Sequence, residues 1–318
     1  IQRIDTFHPQ ELVNTAWAFA TLGKPAPQLF DAIARESKQR IGSFKPQELV
    51  NTAWAFATLG VLAPQLFDAI ARASKKRIGN LKPQGLANIA WAFATLNVRA
   101  PEFFDAIAHA SEQRIGTFNA QELANTAWAF AIVDTADRCA LVKVLSARAT
   151  EMGLAAFNGE QRRHLHQLFL SVELDANPPT ELLAPIGLRE ACRQAMVEKK
   201  VHSSKMARPA KLHDDVSNEL TRMGIAHVNE VCAPCLGYHV DIAILPKVGA
   251  SALEREEWNK LVPAATFECA RIAIEVDGPS HYDDERRLRP ADEMMRRHLA
   301  LAGWVVLGVP YCEWDALK

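Results

Sequence analysis

Three acidic residues and a histidine in the last third of the chain have the side-chain types that phosphodiester chemistry uses. Asp241 interrupts the apolar alternation of HVDIAIL. Glu275 and Asp277 stand two residues apart in RIAIEVDG, and His281 follows in the next turn. Side chains two apart on a strand share a face. Carboxylates at neighbouring strand ends can hold a divalent cation, Mg²⁺ or Mn²⁺, that activates water against a phosphodiester. The expectation is a metal site formed by Asp241, Glu275 and Asp277, with His281 completing a catalytic set. One buried acid in a strand reads as structural; three acids and a histidine in one small sheet ask for a chemical role.

A second polar set recurs in the first half. Gln10, Asn14 and Thr21 flank Trp17, and the set returns as Gln47, Asn51, Trp54 and Thr58, then as Gln84, Asn88, Trp91 and Thr95. A fourth asparagine, Asn125, keeps the spacing. Asparagine is a poor residue for a helix interior, so its recurrence asks for a partner. Either each asparagine bridges to the backbone of a neighbouring unit, or the stripe faces a concave groove and meets RNA, whose base edges amides can read. The tryptophans read as packing between units or as platforms for bases.

Basic residues also recur, as Arg35, Lys38 and Arg40, then Arg72, Lys75, Lys76 and Arg77, then Arg114. Cations at a helix C-terminus complement the helix dipole. Repeated along one edge, they also suit a phosphate backbone. Cys232 and Cys235 form an isolated CxxC, which reads as a buried turn, or as half a zinc site if His227 and His239 join it.

The elements that must position these residues are legible from one repeat. NTAWAFATLG occurs at residues 14 to 23 and again at 51 to 60, NIAWAFATLN starts at Asn88 and NTAWAFAIVD at Asn125, so the spacing is 37 residues each time. Pro9, Pro46 and Pro83 suit the first position of a helix. Leu12, Ala16, Phe19 and Leu22 form one apolar face, and Gly23 and Gly60 suit the helix end. Pro27, Pro64 and Pro101 open a second helix, expected to end at Gly42, Gly79 and Gly116. Neither helix can bury its apolar face alone, so the pairs must stack into an α-solenoid of 37-residue helix-pair repeats. A fifth, degenerate unit starts near Phe157.

The period is lost after Asn177-Pro178-Pro179. The expected layout is a solenoid over 1–175, a connecting helix and linker over 176–209, and an α/β domain over 210–318. In that domain LHDDVSNELTRMG and ADEMMRRHLALAG read as helices, while HVDIAIL, RIAIEVDG and WVVLGVP read as strands. The chain of 318 residues is 49% hydrophobic with a net charge of −1, so any nucleic-acid surface must be local. Its six cysteines show no disulfide framework. No apolar run reaches membrane-spanning length, and no membrane partner is expected. Arg3-Ile4-Asp5-Thr6-Phe7 aligns with Arg40-Ile41-Gly42-Ser43-Phe44, which places the first residue inside a repeat. The chain therefore reads as a fragment, and its lack of a targeting segment carries no information.

IAIEVDGPSHY and MRRHLALAGWVVLGVPYCEW resemble the RAP domain, a C-terminal module of organellar RNA-binding proteins, over most of residues 210 to 318. RAP domains resemble the PD-(D/E)XK nuclease fold. By that likeness Asp241 takes the place of the motif's Asp and Glu275 that of its acid, whereas Asp277 stands where the motif has Lys. Arg296 or Arg297 is then placed to supply a positive charge or to face RNA. The repeats resemble the heptatricopeptide and octotricopeptide units that accompany RAP domains. The resemblance implies binding of single-stranded organellar RNA in mitochondrion or plastid, for its processing, stability or translation, with ribosomal or other ribonucleoprotein components as further partners. Metal-dependent RNA cleavage by the RAP domain is the alternative, and a protein-interaction scaffold the next.

Overall fold

The computed structural model describes residues 4–133, 139–174, 184–198, 209–233, 235–244, 271–283 and 286–316. The expected boundary at Asn177-Pro178-Pro179 and most of the expected linker lie outside those residues. The chain divides into two compact units, one built on residues up to Val172 and the other on residues from Arg189.

The first unit is a stack of helix pairs. Its first helices are α1 (Pro9–Thr21), α3 (Pro46–Thr58), α5 (Pro83–Thr95) and α7 (Ala120–Val133). Its second helices are α2 (Pro27–Gln39), α4 (Pro64–Lys75), α6 (Pro101–Glu112) and α8 (Cys139–Met152), and α9 (Gly159–Glu173) opens the fifth unit. The expected prolines stand at the first position of six of these helices, where no backbone N–H is required. The N-terminal amides of three first helices are closed by an acid three residues on: His8 N–H donates to Glu11 at 2.7 Å, Lys45 to Glu48 at 2.7 Å and Asn119 to Glu122 at 2.9 Å.

The first helices end in a left-handed residue, Gly23 (φ 60°), Gly60 (φ 70°) and, in the third copy, Asn97 (φ 52°). Asparagine tolerates that conformation better than other side chains, so the turn survives its loss of glycine. The second helices differ from expectation. They stop three or four residues before Gly42, Gly79 and Gly116, which instead sit inside one-turn 3₁₀ segments, Ile41–Ser43, Ile78–Asn80 and Ile115–Thr117. The periodic apolar pattern could not separate a tightened last turn from a continued α-helix.

Phenylalanines lock one pair to the next. Phe30 of α2 meets Phe56 of α3 edge to face at 4.8 Å, Phe67 of α4 meets Phe93 of α5 at 4.9 Å, and Phe104 of α6 meets Phe130 of α7 at 5.3 Å. Alanine occupies most lateral positions of the first helices, and Ala53, Ala55 and Ala57 of α3 are buried. Small side chains let these helices approach one another more closely than the second helices do. The first helices are thus the more closely packed layer of the stack, and are called inner here.

The second unit is a four-stranded sheet with helices. Its strands β1 (His227–Cys232), β2 (His239–Ile244), β3 (Arg271–Asp277) and β4 (Trp304–Pro310) lie in the order β1-β2-β3-β4. The first two pairings are antiparallel and the last is parallel. The helices are α10 (Ile186–Val197), α11 (Pro209–Arg222), α12 (Pro290–Leu301) and the short α13 (Tyr311–Ala316). Strand β1, HVNEVC, went unseen in the sequence because Asn229 and Glu230 break its apolar alternation, and Glu230 has a positive φ of 52°. Val216 of α11 packs on Ile242, Ile274 and Val276. By strand alternation Asp241, Glu275 and Asp277 take the other face.

Candidate functional site

On α3, α5 and α7 three sides are covered, whereas α1 at the start of the stack keeps a second flank open at Thr15 and Ala18. In α3, Leu49 and Phe56 face the second helices, while Val50, Ala53 and Ala57 on one flank and Thr52 and Ala55 on the other are buried. The face left to solvent carries Gln47, Asn51, Trp54 and Thr58. Asn14 is exposed, and Asn51, Asn88 and Asn125 are half-buried. Of the two readings open in the sequence, a bond from asparagine to a neighbouring backbone is not what the geometry shows. Gln47 Nε2 donates to Asn51 Oδ1 at 2.9 Å and Gln121 Nε2 to Asn125 Oδ1 at 2.6 Å, both within one helix. The Asn51 and Asn125 amides are therefore oriented by the glutamine one turn before each.

The fifth unit ends the stripe. The step from Phe118 to Phe157 is 39 residues, so His164 stands where the earlier copies have asparagine. Its ring lies 5.8 Å from that of Trp128, and burial presses its pKa down to about 4. Gln161 Nε2 donates to Gln121 Oε1 at 2.9 Å, tying the last two units together.

The basic residues split into two groups. Arg77 Nη1 donates to the Phe44 carbonyl at 2.5 Å, its Nη2 to Ile41 at 3.5 Å and its Nε to Ala73 at 3.2 Å. Arg114 repeats this with Leu81 and with Ile78, the latter at 3.3 Å. Arg40 Nη1 reaches the Phe7 carbonyl at 2.6 Å and pairs with Glu36 at 3.1 Å. These guanidinium groups close the joints between repeats; the expectation that they form a free phosphate ladder did not foresee this use. Lys75 is exposed and pairs with Glu102 of the next repeat at 2.7 Å, and Lys76 is exposed.

In the second unit the acids do come together, around an arginine. Asp241 on β2 lies opposite Glu275 on β3, one step along the register from the Ile242–Ile274 pair. Asp241 Oδ2 accepts from the Val276 N–H at 2.7 Å. Glu275 is 6% exposed, and its Oε1 has no hydrogen-bond partner. Burial, then the Asp241 charge, raises its pKa well above the ordinary value, and burial raises that of Asp241 too. Asp277, 2% exposed, is paired with Arg296 of α12 and accepts from the Tyr282 hydroxyl at 3.2 Å. Arg297 is half-buried on the next step of α12. His281 Nδ1 donates to Asp292 at 3.2 Å, and that bond raises its pKa.

Gly308 makes the Arg296–Asp277 pair fit. It lies beside Glu275 on β4, and a Cβ there would come within 2.7 Å of Arg296 Nη1 and 3.1 Å of Asp277 Oδ2. Sequence reasoning named both arginines but missed Gly308 and Tyr282, whose roles depend on the parallel β3–β4 register. The expected three-carboxylate metal centre is not what this arrangement presents. Among the described residues no group of three His, Cys, Asp or Glu is placed to hold a metal ion; Asp277 is paired with Arg296, and Asp241 Oδ2 accepts from the Val276 amide.

The zinc reading of the CxxC finds no support in the ring contacts of its histidines. His227 contacts the Ser217 hydroxyl at 2.8 Å and the Ile225 carbonyl at 2.9 Å, and His239 contacts the Val197 carbonyl at 3.1 Å. No helix among the described residues is long and apolar enough to cross a membrane.

Residues 3–171 match a family model described as RNA-editing substrate-binding complex 6 protein. Residues 274–318 match the RAP domain. That stretch holds Glu275, Asp277, His281, Arg296 and Gly308 but begins after Asp241, so it is shorter than the span over which the sequence resembles the domain. No curated protein matches the chain.

Proposed function

The chain belongs to the family described as RNA-editing substrate-binding complex 6 protein, and we propose that it holds single-stranded RNA along the inner face of its solenoid, in organellar RNA processing or editing. The observation that supports this reading is the Gln-Asn-Trp stripe, the one face of α3, α5 and α7 that is not closed by packing. Amides that face solvent and are held by a neighbouring glutamine can meet base edges, and the tryptophans beside them offer ring faces for stacking. Exposed lysines such as Lys76 supply phosphate contacts, while Asn14, Asn51, Asn88 and Asn125 supply base contacts.

The RAP domain adds a second RNA surface near Arg296 and Arg297. We propose that this domain is akin to the PD-(D/E)XK fold, a reading supported by Asp241 and Glu275 on adjacent strands. Membership of an RNA-editing family favours a mitochondrial setting over a plastid one, with ribonucleoprotein components as further partners.

Incubation of the full chain with labelled single-stranded RNA, with and without magnesium, tests the reading. The expected result is a complex without cleavage, weakening with salt as released counterions are replaced. Cleavage that requires magnesium, and is lost in Glu275→Gln, would assign Asp241, Glu275, Asp277 and His281 to a nuclease. Absence of any complex in a folded sample would overturn RNA binding and point to a peptide-binding scaffold.

A further inference from the structure

The solvent-facing residues of the solenoid do not vary alike. On the outer helices several of them drift between copies: Lys38, Lys75 and Glu112 are equivalent, as are Gln39, Lys76 and Gln113, although the exposed Asp31, Asp68 and Asp105 stay the same. On the inner helices the exposed stripe does not drift. Glutamine, asparagine and tryptophan return unchanged in all four copies, at Gln10, Asn14 and Trp17 and at each later step of 37. Packing holds a buried residue to its type, but it has far less hold on a residue facing solvent. The inner stripe, exposed at its glutamines and half-buried at Asn51, Asn88 and Asn125, keeps its side chains in every repeat, as one shared contact in solvent would require.

Repeat proteins that read a single strand contact one base per helical repeat with two or three side chains. Four repeats with one set of side chains select one base four times. Resting on the RNA-binding reading above, we infer that the solenoid selects a homopolymeric run, in which the same base occupies each repeat. The geometry of the second and fourth units supports this. Gln47 orients Asn51 as Gln121 orients Asn125, through the same bond at the same position. The stripe ends where His164 replaces asparagine, its ring tilted against that of Trp128.

The test measures affinity of the full chain for twelve-nucleotide oligo(A), oligo(U) and oligo(C), each against a mixed sequence of equal length. One homopolymer should bind at least about tenfold more tightly than the mixed strand. Asn51→Ala and Asn88→Ala should each erode that preference to a similar extent, and the double variant should bring it close to unity. Salt dependence should stay as in the parent, because no phosphate contact is removed. Equal affinity for all strands would overturn homopolymer selection while leaving RNA binding intact, as would a preference that survives the double variant. Failure to bind any strand would overturn the RNA-binding reading itself.

Discussion

Arg77 reaches back 33 residues to donate to the Phe44 carbonyl, and Arg114 makes the same reach to Leu81. The contact joins the end of one helix pair to the turn that opened it. It spends on the protein's own backbone a charge that the sequence offered equally to RNA.

Separate substitutions at Lys76 and Arg77 should therefore divide stability from binding. Arg77→Ala removes charged donors from three part-buried carbonyls and should cost about 2 kcal/mol by denaturant unfolding. Lys76→Ala should stay within about 0.5 kcal/mol of the parent while lowering RNA affinity and flattening its dependence on salt. Equal stability of the two variants would remove the joint from Arg77.

Gly308→Ala tests the pairing of Arg296 with Asp277. The guanidinium can swing away from the new methyl group only by leaving a carboxylate that is 2% exposed. Leaving that charge without its partner should destabilise the second unit by about 2–4 kcal/mol. Thermal melting of the variant checks it, and an unchanged melting temperature would show that the strand relaxes around the methyl group.

Glu275 sets a pH dependence of definite sign. Its pKa is raised on folding, so its favourable contribution is complete below its unfolded value near 4.5 and is lost as pH rises through the folded value. Glu275→Gln should melt higher than the parent at neutral pH, with the gap closing as pH falls toward 4.5. A gap that is constant over pH would mean that the carboxyl ionises freely.

His164 works in the opposite direction. Its pKa falls from 6.5 to about 4 on burial, so stability is full above pH 6.5 and is lost as pH falls toward 4. His164→Asn restores the residue of the other repeats and should flatten that loss. Circular dichroism melts at intervals across the window would show it, and parallel pH profiles for parent and variant would count against it.

The repeat was readable because a period of 37 with proline at fixed positions leaves few ways to fold. The solenoid and most element types of the second unit follow from patterns within single segments, while the meeting of Asp241 with Glu275 was implied by the resemblance to the RAP domain. What escaped were relationships between segments. The use of Arg77 depends on a turn 33 residues earlier, and the role of Gly308 on a parallel register with β3. Strand β1 escaped for a different reason: two polar residues hide its alternation. The metal centre was expected from three acids on one sheet, but Arg296 lies 19 residues from Asp277 in sequence and takes one of them.

The joint between repeats has the same separation each time, from Arg40 to Phe7, from Arg77 to Phe44 and from Arg114 to Leu81. A cut that removes one whole period, such as residues 46 to 82, would leave Arg114 facing the carbonyl of Phe44 in place of that of Leu81. Every fastening would find an equivalent partner. The length of the array is therefore a countable quantity, free to change by whole units in descent or in design, while a change of any other size breaks a fastening.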